Sequence, residues 1–305
     1  MGPKIFLATT SVVKYAVMPY HTPHYILDSF MFLRPKTEVM ENYIQWALQA
    51  DMFLLDSGAF TFLNKSGFDT RELKKYINEY TEFINRWDIE YFFELDIDSI
   101  VGYDNVLKIR AYIEDNTGKK CIPVWHIHRG LQEFKQMCEE YDYVAIGGIV
   151  KREIPKKHYE VLYRLCDIAH HYGCKIHGLG YLPLSALNEN TFPFDTCDGT
   201  TWQGHRHGVG FRLNDGKLER FKDGQFWKDN LRHSFGEWTA FSRIVESNNS
   251  VQYNNNVAAD SIVEDMIRQC IEYGKGKQNE KSNKRKSVSN ATVFSGNTGS
   301  FAAYI

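Results

Sequence analysis

The chain has 305 residues, of which 43 % are hydrophobic and 24 % are charged, and its formal net charge is −2. This length accommodates one large α/β domain with an appendage, and the composition is that of a globular protein rather than a disordered one. The near-neutral total neither indicates nor excludes a polyanionic partner. No run approaches the roughly 20 apolar residues of a membrane span, and the N-terminus has no apolar signal segment. We therefore expect a cytoplasmic protein with no membrane partner.

Six cysteines occur along the chain, and no two of them form a Cys-x-x-Cys pair. This scatter predicts reduced, buried thiols, and it indicates neither a disulfide framework nor a zinc knuckle. The six are Cys121, Cys138, Cys166, Cys174, Cys197 and Cys270.

Apolar runs alternate with amphipathic segments from Lys4 to Trp202. Runs that end in turn residues or carboxylates predict strands at Lys4–Thr10, Tyr25–Leu33, Phe53–Asp56, Tyr91–Leu95, Cys121–Ile127, Tyr143–Ile149, Lys175–Leu179 and Phe192–Thr196. Helical spacing of apolar residues predicts helices at Glu38–Ala50, Arg71–Arg86, Tyr103–Asn116, Leu131–Tyr141, Lys156–Tyr172 and Pro183–Asn188. Short apolar strands with helical crossovers are typical of a parallel sheet that is covered on both faces.

About eight strand–helix repeats precede Asp198, and this number predicts an α/β fold of the (β/α)₈ TIM-barrel type. The competing architecture is a doubly wound open sheet. The absence of a Gly-rich phosphate loop after the first strand argues against that alternative. Polar residues recur at most strand ends, which in a barrel would meet at one mouth.

The pattern changes after Trp202, and we predict three regions. Residues 1–202 form the catalytic barrel, residues 203–273 form a C-terminal helical and loop extension that completes or caps it, and residues 274–305 form a basic, flexible tail. Within the extension, Gly204–Arg212 has the composition of a loop or hairpin, and helices are expected at Phe235–Asn248 and Ser261–Tyr273.

Carboxylates and histidines follow several of the predicted strands. Asp and Gly are poor strand formers, so their presence at strand ends calls for a functional or structural reason. The candidate site residues are Asp56, Asp96, Asp98, His126, His128, Gly147, Gly148, His177, Asp195 and Asp198.

One chemistry that fits this set is glycosyl transfer by paired carboxylates. One carboxylate attacks the anomeric carbon, and the other serves as acid and then as base. Asp198 and Asp56 come from different strands and can flank one reacting carbon. Gly147 and Gly148 would let a flat base approach the backbone closely.

A second chemistry is metal-assisted hydrolysis. His126, His128 and His177, together with Asp198, could hold one or two divalent ions in a barrel mouth. The His-x-His signal is weak, because alternation along a strand places both rings on one face whether or not a metal is bound.

Simpler interpretations stay open for each residue. Asp56, Asp98 and Asp195 could each cap the helix that follows, and Asp198 could form an Asx-turn before Gly199. His177 could be a hydrogen-bonded core histidine.

Four short motifs resemble the tRNA-guanine transglycosylase family, in order and spacing, over about half of the chain. Asp56-Ser-Gly-Ala-Phe60 resembles the family's Asp-Ser-Gly-Gly-Phe-Gln signature, and Ala145-Ile-Gly-Gly-Ile149 resembles its Ala-Ile-Gly-Gly-Leu strand. His177-Gly-Leu-Gly-Tyr181 resembles its Met-Gly-Val-Gly strand. Phe194-Asp-Thr-Cys-Asp198 stands where the family has its nucleophile strand. The ending Asp198-Gly-Thr-Thr-Trp202 is closer to that of the phage and bacterial DpdA-type 7-deazaguanine transglycosylases, which act on DNA.

The resemblance implies a (β/α)₈ barrel that exchanges guanine in a polynucleotide for a 7-deazaguanine such as preQ0. It implies that Asp198 is the nucleophile and that Asp56 is the general acid/base, with no cofactor. It also implies that Asp96 reads the guanine edge and that His128 stands where the family has Gln. The implied substrate-binding residues are Ser57, Gly58, Asp96, His126, His128, Gly147, Gly148, His177 and Gly178.

The sequence departs from the family in one respect, because no Cys-x-Cys-x-x-Cys zinc motif follows Cys197. We therefore assign no metal ligand, and we expect DNA rather than tRNA as the partner. A target base inside a duplex would have to be flipped out. If a phage encodes the chain, its location would be the host cytoplasm, and an accessory protein is possible.

The extension after Trp202 interleaves basic and aromatic residues, which suits contact with a nucleic-acid backbone and stacking on bases. A structural cap over the barrel explains the same composition equally well. The residues are Arg206, His207, Phe211, Arg212, Lys217, Arg220, Phe221, Lys222, Phe226, Trp227 and Lys228. The remaining alternatives for the whole chain are an enzyme acting on RNA, the metal-dependent hydrolase, and a binding subunit without activity.

Overall fold

The computed structural model describes residues 2–9, 16–59, 69–224, 226–248 and 257–275. It is an α/β structure built on one parallel sheet and one small hairpin. The strands are β1 (Lys4–Ala8), β2 (Tyr25–Ser29), β3 (Met52–Asp56), β4 (Tyr91–Phe92), β5 (Val124–Trp125), β6 (Tyr143–Ile146), β7 (Lys175–Gly178), β8 (Thr196–Gly199), β9 (Val209–Asn214) and β10 (Lys217–Lys222).

Helices follow the strands of the parallel sheet. They are α1 (Phe30–Leu33), α2 (Glu38–Ala47), α3 (Thr70–Arg86), α4 (Asp98–Val101), α5 (Tyr103–Thr117), α6 (Gly130–Glu140), α7 (Glu160–His171), α8 (Leu184–Asn188) and α9 (Trp227–Asn248), and a last helix, α10, covers residues 260–275. None of the described helices is long and apolar enough to span a bilayer.

The parallel sheet has the strand order β4-β3-β2-β1-β8-β7-β6-β5, which is the cyclic order of a TIM-like fold. Its two outer strands, β4 and β5, are not joined by a continuous ladder. One isolated parallel bridge, Phe93 with Ile122, connects them. The N–H of Ile122 donates to the carbonyl of Phe92 at 2.8 Å, and the N–H of Glu94 donates to the carbonyl of Ile122 at 3.1 Å.

Both faces of this sheet are buried, as continuous apolar strands predict. One core lies between the sheet and the helices, and it contains Trp125, Phe134 and Tyr80. A second core is formed mainly by strand residues on the other face, and it contains Phe6, Leu54 and further residues: Ala8, Tyr25, Leu27, Phe93, Ile122, Val124, Tyr143 and Ala145. A curled sheet that fills its own concave side has this second core.

Local sequence signals explain where two of the longer helices begin and end. The Asp69 side chain accepts a hydrogen bond from the N–H of Arg71 and caps α3. Gly118 ends α5 in the left-handed conformation, with φ of 67°, which favours glycine.

The chain after Trp202 adds a hairpin and two helices to the sheet. Strands β9 and β10 pair antiparallel across Asp215 and Gly216, whose φ values of 47° and 74° suit a two-residue hairpin turn. Along α9, apolar residues at helical spacing form one buried face that packs on Trp202 and on β9: Leu231, Phe235, Trp238, Phe241 and Val245. The extension therefore covers part of the parallel sheet.

Several element boundaries differ from the sequence-based predictions. Residues 30–33 form helix α1 rather than continuing β2, because Ser29 ends the strand and Phe30 and Leu33 turn into the core. Strand β5 is confined to Val124–Trp125. Helix α9 begins at Trp227, eight residues before its expected start at Phe235.

Strand β8 is also shifted. It covers Thr196–Gly199 rather than Phe192–Thr196, so Asp198 lies within the strand and not in a turn after it. All six cysteines are free and buried, as predicted. Phe60 and the segment 276–305, which contains most of the predicted tail, lie outside the described residues.

A candidate active site of paired carboxylates

Asp198 is buried in β8 and is held by two donors. The N–H of Gly180 donates to Oδ1 of Asp198 at 2.5 Å, and Nε2 of His177 lies 3.1 Å from the same oxygen. Both hydrogen bonds fall on Oδ1. They therefore orient the side chain of Asp198.

A chain of hydrogen bonds extends from Asp198 into the second core. His177 is fully buried on β7, and its Nδ1 lies 2.7 Å from Oγ1 of Thr196. The hydroxyl of Tyr143 lies 2.5 Å from the same Thr196 oxygen. His177 therefore links Asp198, through Nε2, to Thr196, through Nδ1. His177 is thus a hydrogen-bonded core histidine that also positions the carboxylate.

Asp56 ends β3 and is the second carboxylate of the pair. Its Oδ2 accepts from the N–H of Gly58 at 3.2 Å, and its carboxylate also accepts from the Ser29 side chain. Gly58 has a φ of 63°, and a Cβ at this position would lie 2.3 Å from Oγ of Ser29. The glycine of the Asp-Ser-Gly motif is therefore required by the backbone conformation and by the room that Ser29 needs.

The two carboxylates differ in their electrostatic environment. Burial raises the pKa of Asp56, the hydrogen bond from Ser29 opposes this, and the negative charges of Asp198 and Asp96 add to the rise, which brings the pKa to about 6. Asp56 is thus close to half protonated near pH 6, whereas Asp198 accepts two hydrogen bonds on one oxygen. Two carboxyl groups whose environments differ in this way can act as acid and nucleophile.

Asp96 and His126 form a second cluster with Glu153. Nε2 of His126 lies 2.8 Å from Oδ1 of Asp96, and its Nδ1 lies 2.9 Å from Oε2 of Glu153. Burial lowers the pKa of His126, but hydrogen bonds and charge from both carboxylates raise it to about 10. Burial raises the pKa of Glu153, but the hydrogen bond from His126 and the positive charge of its ring outweigh burial and lower the pKa overall.

His128 is exposed and belongs to a different pair. Its Nε2 lies 3.0 Å from Oδ2 of Asp98, which also accepts from Nε and Nη2 of Arg129 at 3.1 and 2.9 Å. Burial raises the pKa of Asp98, but the Arg129 guanidinium outweighs it and lowers the pKa overall. His126, and not His128, contacts Asp96.

Gly147 and Gly148 leave room for side chains of the second cluster. A Cβ on Gly147 would lie 2.8 Å from Nε2 of His126, and a Cβ on Gly148 would lie 2.3 Å from Oε2 of Glu153. Gly148 also has a φ of 75°. In this structure the space over the two glycines is thus taken by His126 and Glu153.

Asp195 is separated from the rest of the candidate residues. It precedes β8, and its Oδ2 lies 2.9 Å from Nε2 of His170 and accepts from the N–H of Ile176 at 2.8 Å. It therefore lies at the opposite end of the strand from the carboxyl-end site. Ser57 is buried, with its carbonyl accepting from the Tyr76 hydroxyl at 2.5 Å, and Gly178 ends β7 against Tyr181.

Sequence reasoning missed four residues of the site. Ser29 lies in no motif, and Thr196 and Gly180 lie within quoted motifs that assigned them no role; their contacts are with residues that are distant in sequence. Glu153 had a usable signal, because it is a carboxylate in the loop that follows β6. Loops at this end of parallel strands carry the functional groups of barrels.

Within the described part of the chain, one group of side chains has the spacing of a metal site. His126, His128 and Glu153 each offer one ligand atom, and these atoms all lie within 4.8 Å of one another. His177 is not in this group; its nitrogen atoms contact Asp198 and Thr196.

The hairpin and the start of α9 carry the basic and aromatic residues of the extension. Arg212, Arg220 and Lys222 are exposed, and the guanidinium of Arg212 lies 5.0 Å from the Phe221 ring centroid. Phe226 is 61 % exposed. Phe211 is buried against Trp238, so it serves the core rather than a base-stacking surface.

No protein-family model matches the chain, and no curated protein matches it.

Proposed function

We propose that this protein is a DNA-guanine transglycosylase, which exchanges guanine in DNA for a 7-deazaguanine base of the preQ0 type through a covalent Asp-glycosyl intermediate. The observation that carries the proposal is the pair Asp56 and Asp198. The carboxyl of Asp56 has a pKa raised to about 6, and the side chain of Asp198 is oriented by contacts with the N–H of Gly180 and with Nε2 of His177. This is the division of roles that retaining glycosyl chemistry requires.

In the first step, Oδ2 of Asp198 attacks C1′ of the target nucleotide. The bond between C1′ and N9 of guanine breaks, and its electron pair leaves with the base. The carboxyl of Asp56 gives its proton to the departing guanine. The product is a glycosyl ester on Asp198 and a free base.

In the second step, the carboxylate of Asp56 takes the N9 proton from the incoming 7-deazaguanine. The N9 of this base then displaces Asp198 from C1′, and both carboxyl groups return to their starting states. Two inversions at C1′ retain the configuration. The chemistry needs no nucleoside triphosphate and no cofactor.

Asp96 is the group that we propose reads the base. It is a carboxylate acceptor whose side chain is 24 % exposed, and the negative charge of Asp96 acts on Asp56. A carboxylate can accept from both the N1–H and the 2-amino group of guanine, which a 7-deazaguanine retains. His126 holds Asp96 from the buried side.

We propose that the eight strands form a closed (β/α)₈ barrel and that the reaction takes place at its carboxyl end, in the cytoplasm. The bridge between Phe93 and Ile122 supports closure. DNA is favoured over tRNA by the Asp198-Gly-Thr-Thr-Trp202 ending and by the lack of the tRNA enzymes' zinc motif. The exposed Arg212, Arg220 and Lys222 suit contacts with phosphates.

A base-exchange assay tests this proposal. Purified protein is incubated with labelled guanine or preQ0 and with duplex DNA or unmodified tRNA in parallel. We expect label in DNA, and we expect Asp198→Ala to abolish it. Asp195→Asn is the matched control, because it removes a carboxylate three residues away at the other end of β8, and it should retain exchange.

Label that enters only tRNA would support the proposed base exchange but would show that tRNA, and not DNA, is the substrate. Exchange by Asp198→Ala at the wild-type rate would refute the assignment of the nucleophile. No label in either polymer, with candidate accessory proteins added, would favour the binding subunit.

A further inference from the structure

The group formed by His126, His128 and Glu153 has a feature that the exchange reaction does not explain. Each of its two imidazoles is held by a carboxylate through Nε2: Asp96 lies 2.8 Å from His126, and Asp98 lies 3.0 Å from His128. In both rings Nδ1 is therefore the nitrogen left for another partner.

This arrangement is the one that metal-binding histidines show in proteins. A ligating imidazole usually donates its second N–H to a carboxylate, which fixes the tautomer and raises the basicity of the ligating nitrogen. The two rings lie with their centroids 5.5 Å apart. Nδ1 of His126 already faces Oε2 of Glu153 at 2.9 Å.

We propose that His126, His128 and Glu153 bind a divalent first-row transition-metal ion, with Zn²⁺ as the best match. Two imidazole nitrogens and one carboxylate oxygen form a three-ligand set that leaves a coordination position open. Asp96 and Asp98 orient the two rings from behind.

The geometry allows the site to close on an ion. The three ligand atoms lie within 4.8 Å of one another, and tetrahedral zinc with bonds of about 2.1 Å needs ligand atoms about 3.4 Å apart. The ligand atoms therefore need to move only slightly closer together, and the side chain of His128 is free to make this movement because it is 55 % exposed. The same exposure gives the ion a path from solvent.

The glycines of β6 fit this interpretation. Gly147 and Gly148 make room for His126 and Glu153, and a Cβ at Gly148 would meet the Glu153 carboxylate at 2.3 Å. The ion would add positive charge between Glu153 and the two carboxylates behind the rings, one of which, Asp98, already pairs with Arg129. This proposed site differs from the expectation of no metal ligand, and it does not use the cysteine motif that holds zinc in the tRNA enzymes.

Metal binding is tested on the full-length protein without nucleic acid, so the outcome does not depend on the proposed exchange activity. The protein is stripped with a chelator, exposed to Zn²⁺ and passed through a desalting column, and its zinc is measured by mass spectrometry. Affinity is obtained by competition with a chromophoric chelator, and Co²⁺ absorption reports the ligand set. Circular dichroism checks that each variant folds.

We expect about one zinc per chain in the wild type and an affinity at least about 100-fold weaker in His128→Ala and Glu153→Gln, since even outer residues of such sites cost 10- to 100-fold. His207→Ala is the matched control, because it removes another exposed histidine and should bind normally. A wild-type protein that retains no zinc, or equal affinity in His128→Ala and wild type, would overturn the proposal.

Discussion

Replacing Asp56 by Asn should make the protein more stable while abolishing exchange. Asp56 is a half-buried ionisable group, and its pKa is raised to about 6 from an ordinary value of 3.8. Folding therefore favours the protonated carboxyl and works against the carboxylate. An amide of similar shape carries no charge to desolvate, and it can still accept from the N–H of Gly58.

The size and pH dependence of the effect follow from the two pKa values. Below pH 3.8 Asp56 is protonated in both the folded and the unfolded state, and its ionisation costs no stability. As the pH rises to 6, the unfolded state loses the proton first, and the cost grows to about 3 kcal/mol at pH 7, at 1.36 kcal/mol per unit of pKa difference. At pH 4 the ionisation of Asp56 costs only about 0.5 kcal/mol of stability.

Urea denaturation at pH 4 and pH 7 measures this difference. Asp56→Asn should gain about 2.5 kcal/mol more over the wild type at pH 7 than at pH 4. Asp215→Asn, in the exposed hairpin turn, controls for the change in net charge. A gain that is the same at both pH values, or a loss of stability at pH 7, would refute the reasoning that Asp56 is held in an unfavourable charged state.

Three further changes test other parts of the site. In the proposed mechanism the covalent intermediate forms only when Asp56 is protonated, so the single-turnover rate of its formation should fall about tenfold per pH unit above pH 6. A rate that does not change with pH would exclude Asp56 as the acid. Gly180→Ala should slow the same step and lower the melting temperature, because a side chain at a φ of 69° shifts the N–H that holds Asp198. Arg110→Met should reduce the free energy of unfolding by about 3–5 kcal/mol in urea, since it leaves Glu94 buried without its main partner, 2.7 Å away.

Matched variants separate these effects from general damage. Gly173→Ala also places a side chain at positive φ, but nothing lies within 4 Å of its Cβ, so exchange should be retained. Arg164→Met removes a surface ion pair with Glu160 and should cost under about 1 kcal/mol. If Arg164→Met and Arg110→Met were equally destabilising, the burial of the Glu94 pair would not be the cause.

The fold class was accessible from sequence because continuous apolar strands and capped helices are local signals. Asp69 and Gly118 mark their helix ends in the sequence and in the structure alike. Strand lengths were less accessible, since only Val124 and Trp125 of the apolar run Cys121–Ile127 belong to a strand. Whether an apolar residue pairs in a sheet depends on its neighbour strand, which the run itself does not encode.

The sequence also identified the carboxylates of the candidate site, but it did not predict the contacts around them. Asp56 and Asp198 were found because carboxylates are unusual at strand ends. The difference between their electrostatic environments could not be predicted, because it depends on Ser29 and Gly180, which come from other segments of the chain. Asp195, only three residues from Asp198, looked equivalent in sequence and lies at the other end of the strand, where it contacts His170.

The most direct test of the central claim is to trap the covalent intermediate. Labelled duplex DNA is mixed with the protein without an incoming base, quenched in denaturant and analysed by gel and by peptide mass spectrometry. We expect a DNA adduct on the peptide that contains Asp198, and this adduct should be absent in Asp198→Ala and released when preQ0 is supplied before the quench. An adduct on another residue, or exchange that proceeds with no adduct on Asp198, would contradict it.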